Sequence, residues 1–497
     1  MNISWLRNED TNAGFAVVGT STISSTDLVK GAGLTSVSNP DIYDYVDETD
    51  KVISIDYDRK IIEPTGGMST AIMTVVLDNI DGRYSPNQNA TIGTAVLPKR
   101  PINMHIGFRV QGQDKTITLF KGLTRMPQED KQKKTVTITA VDYVSYLDKL
   151  PLDAAKYTNE RTDEIIDDIL TELGFGSAQY ILDTGLNTIG FAYFDKGVSA
   201  GYRIRELCES EEAVFYQDEN GVLRFENRQH YALAPHDTVA WTVDGEDIIE
   251  WKEQRTMRII NKCVVKATPR VVQADNAIIW EHPEKVSIGA GLDVTVWANL
   301  NDPADSIVDP AENTDYEANT AEDGSGSDIS TDIGIVITKF VTAAKMVITN
   351  NNAATAYLVN GSGDPFLKLR GKLALTVDTS VAPPKSFELL EEYTDSDSVN
   401  KFDEQEYTIN NNFIDTTTQA TYLAQALVDK YKDPFRRIII KIQGVPQIQL
   451  RDKVSVEDIT LDAYKDYRVM QIQGFLQGGI FTQNLVLREI TDAEDDS

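Results

Sequence analysis

Short runs of alternating apolar and polar residues recur along most of this 497-residue chain, rich in Val, Ile, Thr and aromatics and broken by Gly, Asn and Asp. Successive side chains of a strand point to opposite faces, so a two-residue period predicts half-buried strands. Lys51–Tyr57, Ala71–Leu77, Ile102–Val110, Lys115–Phe120 and Thr135–Val141 follow it. Their short, regular spacing predicts an antiparallel barrel or sandwich over roughly 50–147. Residues 1–50 are Ser/Thr/Gly-rich and weakly patterned. Runs of the same kind close the chain at Arg437–Gln443, Asp452–Val456, Tyr467–Gln473 and Thr482–Leu487, predicting a second antiparallel β module.

The pattern changes near residue 150. Over Arg161–Phe175, Ile165, Ile166, Ile169, Leu170 and Leu173 fall on one helical face, with Thr162 and Asp163 as the expected N-cap and Gly174 as the expected stop. A second helix is predicted over Ala200–Glu212. A hairpin follows around Asp218–Gly221, where Asn-Gly separates aromatic from aliphatic residues. A third helix is predicted over Thr417–Lys432, stopped by Pro434. The expected fold class is mainly β with an α+β part. The expected division is an N-terminal segment 1–50, a first β-barrel 51–149, an α+β domain 150–265, a β-rich domain or insertion 266–385, and a second β-barrel 386–497.

The formal charge is −30, and no Lys or Arg occurs between Lys285 and Lys339. Such a balance repels nucleic acid at long range and excludes binding by phosphate neutralisation. The stretch 301–335 holds ten acids and reads as a solvated acidic loop; calcium is conceivable there, although the spacing does not match the loop that wraps oxygens around one ion. No run of about 18 apolar residues is present, which excludes a spanning helix. The opening MNISWLRNEDTNAG has no basic-then-apolar order, so cytoplasmic synthesis is expected. Cys208 and Cys263 stand far apart and read as buried thiols.

Catalytic patterns are missing. His105, His230, His236 and His282 form no metal-ligand spacing, and no nucleophile elbow, phosphate-binding loop or dinucleotide fingerprint occurs. Paired carboxylates for glycoside hydrolysis are not singled out by any pattern, and Asp167–Asp168 reads as a solvated helix face. Trp5, Trp241, Trp251, Trp280 and Trp297 read as core residues, with stacking on sugars as the rival role. No catalytic residue, cofactor or metal is expected.

Four segments, in order, resemble the tail-hub and tail-tip proteins of phages and prophage-derived particles, the group related to the baseplate hub of contractile tails. The first is Met73–Pro86, with Asp78, Asn79, Asp81, Gly82, Arg83, Tyr84 and Pro86; Asx turns and a positive φ at Gly82 are expected there. The second is Leu119–Arg125 with Gly122, followed by Thr135–Leu147 with Asp142. The third is Leu207–Arg228, with Asp218, Gly221, Arg224 and Phe225. The fourth is Gly444–Val456, with Pro446 and Asp452; members of the group commonly carry Gly just before this Asp, and here Arg451 stands instead.

The resemblance implies a structural virion protein rather than an enzyme, made in the host cytoplasm and placed at the tail tip or baseplate. It implies a homotrimer in which two barrels per chain give a pseudo-hexameric ring that closes the tail tube. The implied partners are further copies of the chain, the tail tube or distal tail protein, the tape-measure protein, and tail-fibre or receptor-binding proteins. DNA would pass through the bore without specific binding. The rival readings are a carbohydrate-binding adhesion protein of the virion, recognisable by an exposed aromatic platform on one β module, for instance within 266–385, and a tail-associated glycoside hydrolase.

Overall fold

The structure, a computed structural model, describes residues 2–8, 43–63, 67–85, 97–110, 113–232, 236–255, 258–378, 385–458 and 463–490. Most of the segment 1–50, and Pro86 of the first motif, lie outside the described residues. The chain is mainly β, as expected, and its largest element is one sheet to which both strand-rich ends contribute.

In the first half of that sheet Val52–Lys60 pairs with Ala71–Asp78, then Thr135–Val141, Gln113–Thr124 and Pro101–Val110 follow. Strands Asn2–Asn8 and Tyr43–Asp47 continue it, with Trp5 opposite Ile102. The weakly patterned 1–50 segment therefore supplies strands to the first module. The second half runs Ile248–Arg255, Arg436–Gln443, Ile480–Glu489, Ala463–Gln477, Lys453–Asp458 and Val239–Val243. Its first and last members come from 239–255, so the second module draws strands from well before residue 386. Most ladders are antiparallel, but Val239–Val243 runs parallel to Lys453–Asp458.

The modules share a wiring rule. Each half of the path ends on two strands that are consecutive in the chain, Tyr43–Asp47 with Val52–Lys60 and Val239–Val243 with Ile248–Arg255. No ladder joins either pair among the described residues; a short connection does. The halves are sewn together where Val52–Lys60 pairs antiparallel with Ala463–Gln477, from Ser54 opposite Gln477 to Lys60 opposite Gln471.

Both interiors belong to one core, in which Tyr57, Met73 and Ile138 of the first module join Ile438, Val454 and Leu485 of the second. The two modules lie side by side, and their buried residues run together in one cluster across the seam. Gly474 lies opposite Tyr57 there, and a Cβ on it would stand 1.9 Å from the Tyr57 ring. Only a bare backbone lets the buried ring lie across that strand.

The α+β unit packs helices Thr162–Glu172 and Ala200–Glu209 against a sheet ordered Tyr180–Leu182, Leu223–Glu226, Val214–Gln217, Gly67–Met68. Its helix signals act as expected, with one shift at the start. Arg161 is the N-cap residue and its N–H donates to Glu164 at 2.8 Å, while Thr162 is the first helical residue. At the far end Gly174 (φ 87°) and Phe175 donate back to Thr171 and Leu170, the paired bonds that satisfy a helix's last carbonyls. Ser199 caps the second helix through Tyr202 N–H. Cys208 and Cys263 are buried free thiols, and burial raises both, Cys263 to about 12.

The residues after 260 do not form one block. Lys262–Ala267 pairs with Leu389–Thr394 and Glu406–Asn410, covered by helix Thr417–Tyr431, and this small unit has its own core. Ala267 lies directly opposite Leu389. Everything between them leaves and returns at one place, so the 266–385 region is an insertion in this sheet, with a third core. It packs strands Asp293–Asn299, Ala343–Asn350 and Ile333–Lys339 against Ala277–Glu281, Ala304–Val308 and Lys368–Leu375. The acidic loop expected over 301–335 is thus partly strand. Its centre is tied inward by Asp315, buried, which takes a 2.6 Å bond from Arg370 Nε.

Candidate functional site

The four motifs, spread over almost the whole chain, meet at two places in the fold. The first motif closes the first module. Asp81 forms the expected Asx turn, its Oδ1 accepting from Arg83 N–H, and Asp78 forms another with Ile80 N–H; Asn79 does not, its Oδ1 accepting instead from Tyr84 N–H five residues on. Gly82 has φ 68°.

The loop so shaped presents Arg83 and Tyr84 to Glu48, which is 2% exposed. Arg83 grips that carboxylate with two nitrogens, at 2.9 and 2.6 Å, and the buried Tyr84 hydroxyl donates to it at 2.6 Å. Glu48 lies in the connection between Tyr43–Asp47 and Val52–Lys60. Lys51 in the same connection donates to Asp81 Oδ2 at 3.0 Å. The motif is therefore a clasp on the link between the module's two end strands. Burial raises Tyr84 well above the usual phenol range, which keeps it a donor.

The other three motifs meet at the junction of the modules with the α+β unit. Gly122 permits a close crossing, since a Cβ would lie 2.5 Å from the Val141 carbonyl oxygen. Asp142 is buried: Oδ2 accepts from Ala71 N–H at 2.6 Å and Oδ1 from the Ser145 N–H and hydroxyl. Burial pushes its carboxyl up to about 6. Gln217 then bridges the motifs, donating to Lys121 O at 2.8 Å and accepting from Tyr143 N–H at 2.7 Å. Asp218 holds the hairpin turn by accepting from Asn220 and Val222 N–H and from Arg224. Gly221 has φ 82°, and Phe225 is in the core of the α+β unit.

Glu226, one residue past Phe225, meets Arg451 of the fourth motif in a 2.7 Å ion pair. Arg451 and Arg468 lie over the Tyr231 ring at 4.2 and 3.9 Å. From the first module Arg59 reaches the same place, donating to Gln449 at 2.8 Å and standing 3.6 Å from Glu219. Pro446 is buried and accepts from Gln449 Nε2, while Asp452 accepts from Gln449 N–H and is pushed by burial to about 6. Arg451 has φ 74°, a left-handed backbone that costs a side-chain-bearing residue about 1–2 kcal/mol. The glycine expected here is replaced by a residue whose guanidinium takes part in the junction.

Sequence reasoning missed Glu48, Arg59, Tyr231, Arg468 and the role of Glu211. Glu211 is buried, accepting from Thr162 Oγ1 and from Leu186 and Asn187 N–H through Oε2, and burial raises it to about 7. No local signal marked Glu48 and Glu211, which stand among other acids within 47–50 and 209–212. For catalysis, a cleft of about 450 Å³ is walled by Glu160, Asp163, Glu164, Asp167 and Asp168. Burial, then Asp167, raises Asp168; burial, then Asp168, raises Glu160. His230 Nδ1 stands 2.7 Å from Asp183 and its ring 3.9 Å from that of His236. Among the described residues no group of three or more His, Cys, Asp or Glu is placed to hold a metal ion, and no helix is long and apolar enough to cross a membrane.

No protein-family model matches the chain, and no curated protein matches it. Solved structures similar to it include the 43 kDa tail protein of prophage MuSo2 from Shewanella oneidensis, at 10% identity and a TM-score of 0.48 over 91% of this chain and 97% of that one. A tail protein from Neisseria meningitidis MC58 follows at 8% identity and a TM-score of 0.47, covering 91% and 96% of the two chains. A prophage tail protein from Listeria monocytogenes EGD-e gives 9% identity and a TM-score of 0.40, covering 90% and 92%.

Proposed function

We infer that this chain is a structural hub of a phage-type tail: a homotrimer whose two β modules per copy form a pseudo-sixfold ring that closes the tail tube at its tip. The observation that carries this reading is the repeated wiring of the modules, each ending on chain-consecutive strands, fused along one ladder. Two like modules joined along one ladder give three copies six like faces, which is what a threefold assembly needs to dock on a sixfold tube. The ordered motifs support it further, because they form the clasp and the junction that hold the modules in place. The chain's work is then geometric, and the reading assigns no catalytic residue.

In the ring, the tail tube or distal tail protein contacts one side, fibre or receptor-binding proteins the other, and the tape-measure protein and DNA pass between. Three copies carry three times the −30 charge, and the part lining the bore repels phosphate and lets DNA slide. Averaged electron-microscope images of the purified protein test the proposal. A threefold particle with six density lobes around a hole is expected; isolated single-chain particles would overturn it.

A further inference from the structure

We infer that the inserted sandwich is a latched arm. It turns about the two-strand neck that joins it to the small sheet, and Asp305, held by Lys156 and Thr158, fixes it closed against the α+β unit. The neck is narrow. Ala267 opposite Leu389 is the last pair of the ladder that the insertion interrupts. Just beyond it both strands leave that ladder: Thr268 N–H donates to the Asn412 side chain, and Phe387 N–H donates to Thr376 O within the insertion, each at 2.9 Å. Residues 268–270 and 387–388 belong to no strand or helix. A few residues at the ends of elements are enough to absorb the backbone rotation of a hinge.

Nothing apolar fixes the arm to the body. Among the described residues, none between Ala267 and Leu389 enters the other three cores, and the sandwich core takes in no residue from outside the insertion. Two units whose interface is not large and apolar move against each other by default. What holds these two is polar. Among the described residues, every hydrogen bond and ion pair between the sandwich and the α+β unit falls on Asp305, in the strand Ala304–Val308. Lys156 Nζ donates to Asp305 O and stands 3.3 Å from its Oδ1, and the Thr158 hydroxyl donates to the same Oδ1 at 3.3 Å.

Beside this contact the two units part. A cleft of about 390 Å³ has Thr158, Asn159 and Gly190 on one wall and Arg270, Val272 and Lys372 on the other. The joint is thus a gap bridged at one edge rather than a packed interface. The Lys156 and Asp305 side chains are 33% and 25% exposed, so the pair keeps much of its water and is screened by salt. Closed and open positions then lie close in free energy, and ionic strength shifts the balance between them. The inference does not rest on the hub reading; a single chain's mass in solution would leave it intact.

The test places spin labels on the full-length protein at Lys196→Cys and Val336→Cys, both exposed positions, and reads the distance between them by double electron–electron resonance. The native Cys208 and Cys263 are buried and stay unlabelled. One dominant distance is expected in dilute buffer. At about 1 M salt, where charges are screened within about 3 Å, a longer distance should gain on it. Asp305→Ala and Lys156→Ala should each raise the ratio of long to short about two- to fivefold in dilute buffer, the change expected from losing one exposed pair. Exchanging the charges, Lys156→Asp with Asp305→Lys, should return most of the short distance. The proposal is overturned if one unchanged distance persists in both alanine variants and at high salt, since the joint would then be rigid without the latch. It is equally overturned if the labelled parent shows no dominant distance in dilute buffer, since Asp305 would then hold nothing.

Discussion

The two β modules solve one problem with different chemistry. Each must hold the short connection between its end strands, since no ladder does so among the described residues. In the first, a buried carboxylate, Glu48, is clamped by Arg83 and Tyr84. In the second, lighter bonds suffice: Gly245 N–H donates to Glu457 and the Tyr464 hydroxyl donates to the exposed Asp244. A buried ion pair is costly to break because it strands a charge, whereas an exposed bond is readily replaced by water. The first module should therefore fail sharply when its clasp is cut, and the second should yield gradually.

The seam between the modules gives the largest expected effect. Gly474→Val places a branched side chain into the space of the Tyr57 ring and should cost about 3 kcal/mol or more, read from chemical denaturation. Glu48→Ala should cost about 3 kcal/mol, because it leaves Arg83 without its carboxylate and the Tyr84 hydroxyl without its acceptor. Tyr464→Phe at the second connection should cost about 0.5 kcal/mol or less. Equal losses for these two would erase the contrast.

The modules meet acid in the same way. Asp142 and Asp452 both have folded carboxyls raised to about 6 from an ordinary 3.8. A raised carboxyl means that the folded state holds the proton more tightly. The contribution is greatest below about pH 3.8 and is lost as pH rises through 6. At about 1.4 kcal/mol per unit, Asp142→Asn and Asp452→Asn should each remove a slope worth about 2–3 kcal/mol between pH 4 and 6. Melting temperature against pH for the two variants reads this directly.

At the junction, Arg451→Gly relieves the left-handed strain while Arg451→Ala keeps it, and both lose the Glu226 pair. The glycine variant should be more stable than the alanine variant by about 1 kcal/mol. The smallest effect should come from the insertion. Joining Ala267 to Leu389 with a short Gly/Ser turn should leave the melting of the remaining protein nearly unchanged, because the two residues are already paired.

Much of this was legible in sequence. The period of two located Thr135–Val141 to the residue and the neighbouring strands to within a few residues, since alternation is enforced wherever one face is buried. Helix ends were marked by Gly174 and Pro434. What could not be read was pairing between distant segments. Nothing local in Tyr57 or Gly474 announces that they meet, nor that Trp241 and Trp251 sit on strands that complete a module built mainly after residue 436. Glu48 looked like one more surface acid, because its burial exists only once Arg83 and Tyr84 are folded over it. Trp297, 52% exposed, was misread although the pattern marked it: it is in phase with Asp293, Thr295 and Asn299, while Val294, Val296 and Ala298 form the inward face.

Mass in solution, by light scattering on the purified full-length protein, tests the hub reading most directly. Three times the 55.2 kDa chain mass is expected, persisting on dilution. A single chain's mass at every concentration would contradict it.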